Sequence, residues 1–401
     1  MIRISDERIL ALLIGLPAVY LYFSGLGQFY RVFAFLNYAV YMVVFLLSML
    51  AYSRTILLKS NFIIFYLFVI VLLFNSMMYP ESVEYLINYS SVVNIILSNV
   101  FTLLVIALPV FLLSKQENDF ELLISELNNI GTVISSLFVI TFALIVFVFK
   151  IDFDYMNITY GCIPWLFFAF GHSIYYKTRY NRIISIIAFT FIALSGCRGA
   201  LLTTAIYLAL TYLISLKNGL DIRKVMGAIL LFILGLVIIL NFDYLVSFLY
   251  ETLSGMGFKS RTLELYLDLS VEDGLFHYSD RERIQLPLIN NLNIIGHGLY
   301  GDRVALNGVY AHNVFLELLY DFGIIIGGII CIIYCLLLIC SIRLMFDTRN
   351  NHIQLIIATS LAVLTCKYMV SSSLFSTAEF WFLIGLLLGC MRMKKLYYKN
   401  T

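Results

Sequence analysis

Three short stretches of this 401-residue chain hold residue types that could act on a phosphate-bearing substrate. The first is Ser195-Gly196-Cys197-Arg198-Gly199-Ala200-Leu201-Leu202, which lies between two apolar runs. An arginine at the edge of a bilayer costs a few kcal/mol unless it is paired or reaches water. Flanking glycines let the backbone turn sharply and approach a ligand closely. The apolar run after Arg198 reads as a helix whose free N–H groups and positive dipole end add to the guanidinium. The combination suits a lipid-linked phosphate or diphosphate, and the alternative is an arginine snorkelling to lipid headgroups.

The second stretch runs from Tyr310 to Gly323. Asn313, Glu317 and Asp321 recur at i, i+4 and i+8 and share one helix face, with His312 at the first turn. A histidine at the mouth of a membrane cavity can take a proton near neutral pH, or simply bond to headgroups. Gly323 and Gly327 have the spacing of a close helix contact. The third stretch combines Asp280-Arg281-Glu282-Arg283 with Gly296-His297-Gly298 and Asp302-Arg303. Arginines pair bidentately with phosphate oxygens and glycines tighten the backbone beside them. The plainer alternative is solvated loop charge, with Glu282 and Asp302 as local ion-pair partners. Asp152-Phe153-Asp154 is a weak metal-binding pattern. Lys367, inside an apolar run, either snorkels outward or faces the same cavity as Arg198.

The elements that must position these residues follow from composition. The chain is 62% hydrophobic and 12% charged, with a mean hydropathy of +0.94. An average soluble domain carries roughly 25% charged residues. There is too little polar surface for a soluble enzyme, a disordered scaffold or a nucleic-acid-binding protein. The fold class expected is an all-α polytopic membrane protein. At about 20 apolar residues per crossing, twelve spans are predicted, near 9–26, 32–52, 62–79, 92–113, 131–149, 158–176, 183–197, 199–216, 225–242, 324–342, 353–374 and 378–392. The acidic, amphipathic segment 115–129 reads as an interfacial helix, and Pro287 as an interruption of any helix after Arg281. The seven cysteines fall in or at the ends of apolar runs, where they read as small residues packed between helices.

Basic residues set the orientation. With a cytoplasmic N-terminus, inside segments hold 17 Lys and Arg residues and short outside loops hold three, Arg31, Lys150 and Arg198. Both termini are therefore expected in the cytoplasm. The chain divides into residues 1–242 with nine spans, a long polar outer loop at 243–311, and residues 312–401 with an entering helix and three spans. Loops that long are usually functional, and this one ends beside His312, so the outer face is expected to be the working face.

These patches, in this order, resemble the O-antigen polymerase and O-antigen ligase superfamily of bacterial inner membranes. The resemblance rests on Arg198 to Leu201 between two spans, on Arg281 and Gly296-His297-Gly298 in the long loop, and on His312-Asn313 followed by Gly323. It covers roughly residues 180–345. It implies a GT-C-like helical fold and an inverting, metal-independent glycosyl transfer at the periplasmic face, with no cofactor. It also implies a sugar chain on undecaprenyl diphosphate as donor, a lipid-linked repeat unit as acceptor, and a further protein that regulates chain length. Arg198 and Arg281 would then take the diphosphate and His312 the acceptor hydroxyl. Arg283, Arg303, Asn313, His297 and Lys367 would line the substrate. A polymerase is the expected activity. A ligase needs the same donor site, and a flippase would need polar residues within its spans and two similar halves.

Overall fold

An apolar run with no water around it must satisfy its own backbone, and a helix does so within one segment. The computed structural model describes residues 4–27, 31–55, 59–80, 102–116, 119–144, 148, 155–195, 197–217, 242–255, 267, 280–375 and 377–400, and these are all-α. Along the chain lie α1 (Asp6–Gly27), α2 (Arg31–Thr55), α3 (Lys59–Met78) and α4 (Leu108–Ser114), the last entered through a π turn at Thr102–Ala107. Next come α5 (Phe120–Ala143), α6 (Tyr155–Tyr176), α7 (Arg179–Leu194) and α8 (Arg198–Lys217). The long loop contributes α9 (Phe242–Gly255), α10 (Asp280–Asn290) and the single turn α11 (Gly301–Ala305). The chain then forms α12 (Val314–Asp347), α13 (Asn351–Ala362) and α14 (Ala378–Asn400). A π turn at Val363–Lys367 extends α13 to Val370.

Among the described residues, four helices are long and apolar enough to cross a membrane: Phe120–Ala143, Gly199–Lys217, Val314–Asp347 and Asn351–Val370. They indicate a multi-pass membrane protein. Most of the ninth predicted span, 225–242, and part of the fourth, 92–113, lie outside the described residues. Where each helix sits follows from its faces. In the apolar stretch of α12 only 17% of residues are buried, and Ile325, Ile329, Ile332, Ile333 and Leu336 point outward, a face suited to lipid tails and not to water. For Asn351–Val370 the buried share is 78%, which puts α13 at the centre, packed against α6, α8, α12 and α14. A Cβ at Gly131 would stand 2.5 Å from the Trp165 carbonyl oxygen, so the absence of a side chain there lets α5 lie close on α6.

Four expectations change. Residues 120–129 are not a separate interfacial helix; they open α5, capped by Asp119, whose carboxylate accepts from the Glu121 and Leu122 N–H groups. Their apolar face (Phe120, Leu123, Ile124, Leu127) is buried, so this turn belongs to the bundle. Pro287 does not interrupt the helix after Arg281, because α10 runs through it; in an 11-residue helix proline forgoes one backbone bond. Of the cysteines, Cys162, Cys197, Cys366 and Cys390 are buried as expected, whereas Cys335 and Cys340 sit on the outward face of α12. Finally, α12 breaks at Gly323 (φ 77°, ψ 167°) and the Gly323/Gly327 spacing serves this break. A Cβ at Gly327 would strike the Leu318 carbonyl oxygen, so the glycine lets the chain fold against its own preceding turn instead of a second helix.

Candidate functional site

The break between α7 and α8 is built by side-chain competition for backbone groups. The Ser195 hydroxyl donates to the Ile192 carbonyl (2.8 Å), and α8 restarts with Leu201 N–H bonded to the Cys197 carbonyl (3.0 Å). Arg198 is the first residue of α8, and its side chain lies outside the described part, as does Gly196. Gly199 is demanded by close approach: a Cβ there would strike the Tyr160 hydroxyl and lie 2.8 Å from Val370 Cγ2. The Arg198 turn is thus pressed between α6 and the end of α13.

The strongest electrostatic feature is a buried cluster centred on Arg303. Its guanidinium donates to Asp302 (3.1 Å), Glu317 (3.4 Å) and the Ser373 hydroxyl (2.7 Å), and it lies over the Tyr300 ring at 5.0 Å. Arg303 is 4% exposed, Asp302 0% and Glu317 1%, so the reading of solvated loop charge fails for this pair. The local partner anticipated for Arg303, Asp302, is the one found. Glu317 also accepts from the Ser373 hydroxyl and the Leu374 N–H (3.2 Å). Asp321 caps the α11 turn, accepting from Tyr300 N–H and Asp302 N–H at 3.1 Å each. Burial pushes the Asp302 carboxyl above its ordinary pKa, and Arg303 opposes the shift. These contacts tie the long loop to α12 and to the α13–α14 connection. Arg303, expected to bind substrate, therefore has structural partners.

His297 is likewise engaged. Its ring stacks on Tyr320 (4.1 Å between centroids), and its Nε2 lies 2.8 Å from the Asn291 carbonyl oxygen. The flanking glycines have φ of +93° and +81°. A Cβ at Gly296 would lie 2.6 Å from the Phe322 carbonyl carbon, and one at Gly298 2.6 Å from the Tyr79 ring. Their freedom seats the loop on α12 and α3, with Leu299 N–H also bonded to Asn75 (2.7 Å).

His312 stands where the loop enters α12. It adopts a left-handed backbone (φ 54°), uncommon for a residue with a Cβ, and its ring lies 4.0 Å from that of Tyr310. The residue before it is held on both sides: Ala311 N–H donates to Asp302 (2.9 Å), and the Gln285 amide donates to the Ala311 carbonyl (3.4 Å). The residue after it, Asn313, is the N-cap of α12 and accepts from Phe315 N–H (3.0 Å) and Leu316 N–H (3.2 Å). Asn313 is thus placed to fix the strap that carries His312. Gln285 lies one turn beyond Arg281 in α10; the side chains of Arg281 and Arg283 lie outside the described part.

Lys367 neither snorkels outward nor lies open. It is 4% exposed, and its ammonium donates to the Tyr160 carbonyl (3.0 Å) and to Glu379 (2.7 Å). Glu379 was missed by sequence reasoning, as were Ser373 and Tyr160. An acid in an apolar run twelve residues from a lysine was the available signal for Glu379. Ser373 and the Tyr160 carbonyl carry none.

Three pairwise contacts run between the patches and the end of α13. Tyr310 donates from its hydroxyl to the Ser371 carbonyl, Val370 packs on Gly199, and Gln285 reaches Ala311. The Arg198 turn and the His312 strap thus both touch residues 370–371, and the helix that carries Arg281 touches the strap at Ala311. Asp152 and Asp154 lie outside the described residues, and among those described no group of three or more His, Cys, Asp or Glu is arranged around a metal position. Comparison with family models, with curated proteins and with solved structures gives no match for this chain.

Proposed function

We propose that the chain is a polysaccharide polymerase of the O-antigen type in a bacterial inner membrane, with a GT-C-like bundle and its active face in the periplasm. One observation supports the reading: the Arg198 turn and the His312 strap, 114 positions apart in sequence, both touch residues 370–371, and the helix that carries Arg281 touches the strap at Ala311. A transferase acting on a lipid diphosphate needs cations at the leaving group and a base at the acceptor, held in one frame. Arg198 and Arg281 take the diphosphate of the undecaprenyl-linked growing chain. His312 accepts the proton as a hydroxyl of the next lipid-linked repeat unit attacks the anomeric carbon. The new C–O bond forms as the bond to the diphosphate breaks, on the opposite face, so configuration inverts. The diphosphate leaves with the bonding electron pair, stabilised by the arginines. Arg303, with Asp302, positions the strap without touching substrate.

The test uses the left-handed backbone of His312. Glycine adopts φ near +54° without steric cost, so His312→Gly keeps the strap while deleting the imidazole. Transfer from purified lipid-linked repeat units in vesicles should fall about 10²–10⁴-fold, with thermal unfolding unchanged. Arg198→Ala should cost on the order of 10²–10³, and Arg198→Lys should recover only part, since an ammonium cannot make the bidentate contact. In cells these variants should leave single repeat units on lipid A core. Bare core with long lipid-linked chains would instead make the protein a ligase. Full transfer by His312→Gly would remove the proposed base.

A further inference from the structure

At the opposite end of α8 from Arg198 lies a cavity of about 650 Å³ that has no part in the proposed transfer. Twenty residues of helix at 1.5 Å each put about 30 Å between the two ends. Its walls come from the end of α6 (Tyr175), the last turns of α8 (Thr211, Ser215, Lys217) and the α12–α13 connection (Arg349, Asn351). Among the described residues that line it are two cations and no acid. Lys217 is held in place by donating to the carbonyls of Phe346 and Thr348, the second at 3.0 Å, and an ammonium has a third proton to give. Arg349 is exposed and has no carboxylate partner among the described residues. The same wall carries an exposed apolar side chain: Ile174 is 43% exposed.

We propose that this cavity seats the phosphate of an anionic phospholipid, with its acyl chains running out past the exposed Ile174 side chain. A free phosphate would need only the cations; the adjoining exposed Ile174 side chain fits an amphiphile. Basic pockets between membrane helices bind acidic headgroups for this reason. Lys177, Arg179, Arg182 and Arg343 lie at or next to the ends of α6, α7 and α12, against Asp347 as the acid at the α12–α13 connection.

Native mass spectrometry of the full-length protein in detergent, titrated with phosphatidylglycerol or phosphatidylcholine, tests the assignment. The wild-type chain should retain phosphatidylglycerol preferentially, and Arg349→Gln should weaken retention about fivefold, the factor for one cation near a headgroup. Arg349→Lys should keep most of it, because charge matters more than geometry at a headgroup. Arg343→Gln is the control: this exposed cation at the same end is not in the cavity wall, and its loss should leave retention unchanged. Equal retention of both lipids, or equal loss from Arg343→Gln and Arg349→Gln, would overturn the proposal. So would competition by millimolar inorganic phosphate as effective as that by the lipid. None of these outcomes depends on the transferase reading, since binding is measured without any sugar substrate.

Discussion

Replacing Arg303 by methionine removes a cation bonded to two buried carboxylates. The guanidinium donates to Asp302, Glu317 and Ser373, and both acids are at most 1% exposed. Methionine has a similar unbranched stem, so the change deletes charge and hydrogen bonds more than volume. Removing one partner of a buried ion pair costs about 3–5 kcal/mol, because the remaining charge is left unsolvated. With about 2 °C lost per kcal/mol in a larger domain, the midpoint of thermal unfolding should fall by the order of 5–10 °C. The readout can be tryptophan fluorescence in detergent, since one of the two tryptophans, Trp381, donates to the Leu374 carbonyl (3.0 Å), next to Ser373. Glu317→Gln in the Arg303→Met background should return part of the loss, as it removes one orphaned charge; coupling of about 0.5–3 kcal/mol is the range for neighbours in one network. A midpoint for Arg303→Met within about 1 °C of wild type would mean that the cluster is solvated and does not hold the strap.

Other outcomes follow from the same geometry. Gly327→Ala should destabilise by about 1–3 kcal/mol as overpacking does, because its Cβ would strike the Leu318 carbonyl, whereas Gly328→Ala meets nothing within 4 Å and should gain up to about 1 kcal/mol of helix propensity; equal effects in thermal unfolding would deny the fold-back at Gly323. Lys367→Met should cost about 3 kcal/mol by leaving Glu379 and the Tyr160 carbonyl without their donor, and Lys367→Met with Glu379→Gln should recover part of it; no loss in the single variant would mean that the pair is hydrated. Reporters fused after Lys217 or Arg349 should be cytoplasmic and one inserted near Gly274 periplasmic; a cytoplasmic signal at Gly274 would overturn the orientation and with it the periplasmic transfer.

Much of the architecture was legible because its causes are local. A long apolar run must bond its own backbone, so the cores of α5, α8, α12 and α13 could be read from composition. The break before Arg198 was legible too, since glycines flanking an arginine between two apolar runs act within a few residues, whereas the break at Gly323 was not, because the Gly323/Gly327 spacing reads equally as a close contact with a second helix. The i, i+4, i+8 face of Asn313, Glu317 and Asp321 was a helix-period pattern and holds as one: Asn313 caps, and the two acids point inward.

What the acids meet was a different matter. Glu317 is completed by Ser373 and Leu374, 56 and 57 positions away, and Arg303 by Ser373, 70 positions away. Hydropathy treats each of these charges as exposed, and only the packing of the loop on α12 and α13 makes them buried and paired. Likewise no local pattern tells that Lys367 reaches the Tyr160 carbonyl across 207 positions, or that Gly296 and Gly298 spare room for α12 and for Tyr79 after α3. The residue types able to do chemistry are a property of the sequence by itself. Which of them spend their hydrogen bonds on the fold, as Arg303 does, depends on partners that only tertiary contact supplies, because the cost of burying a charge is set by whatever the rest of the chain brings within 3 Å of it.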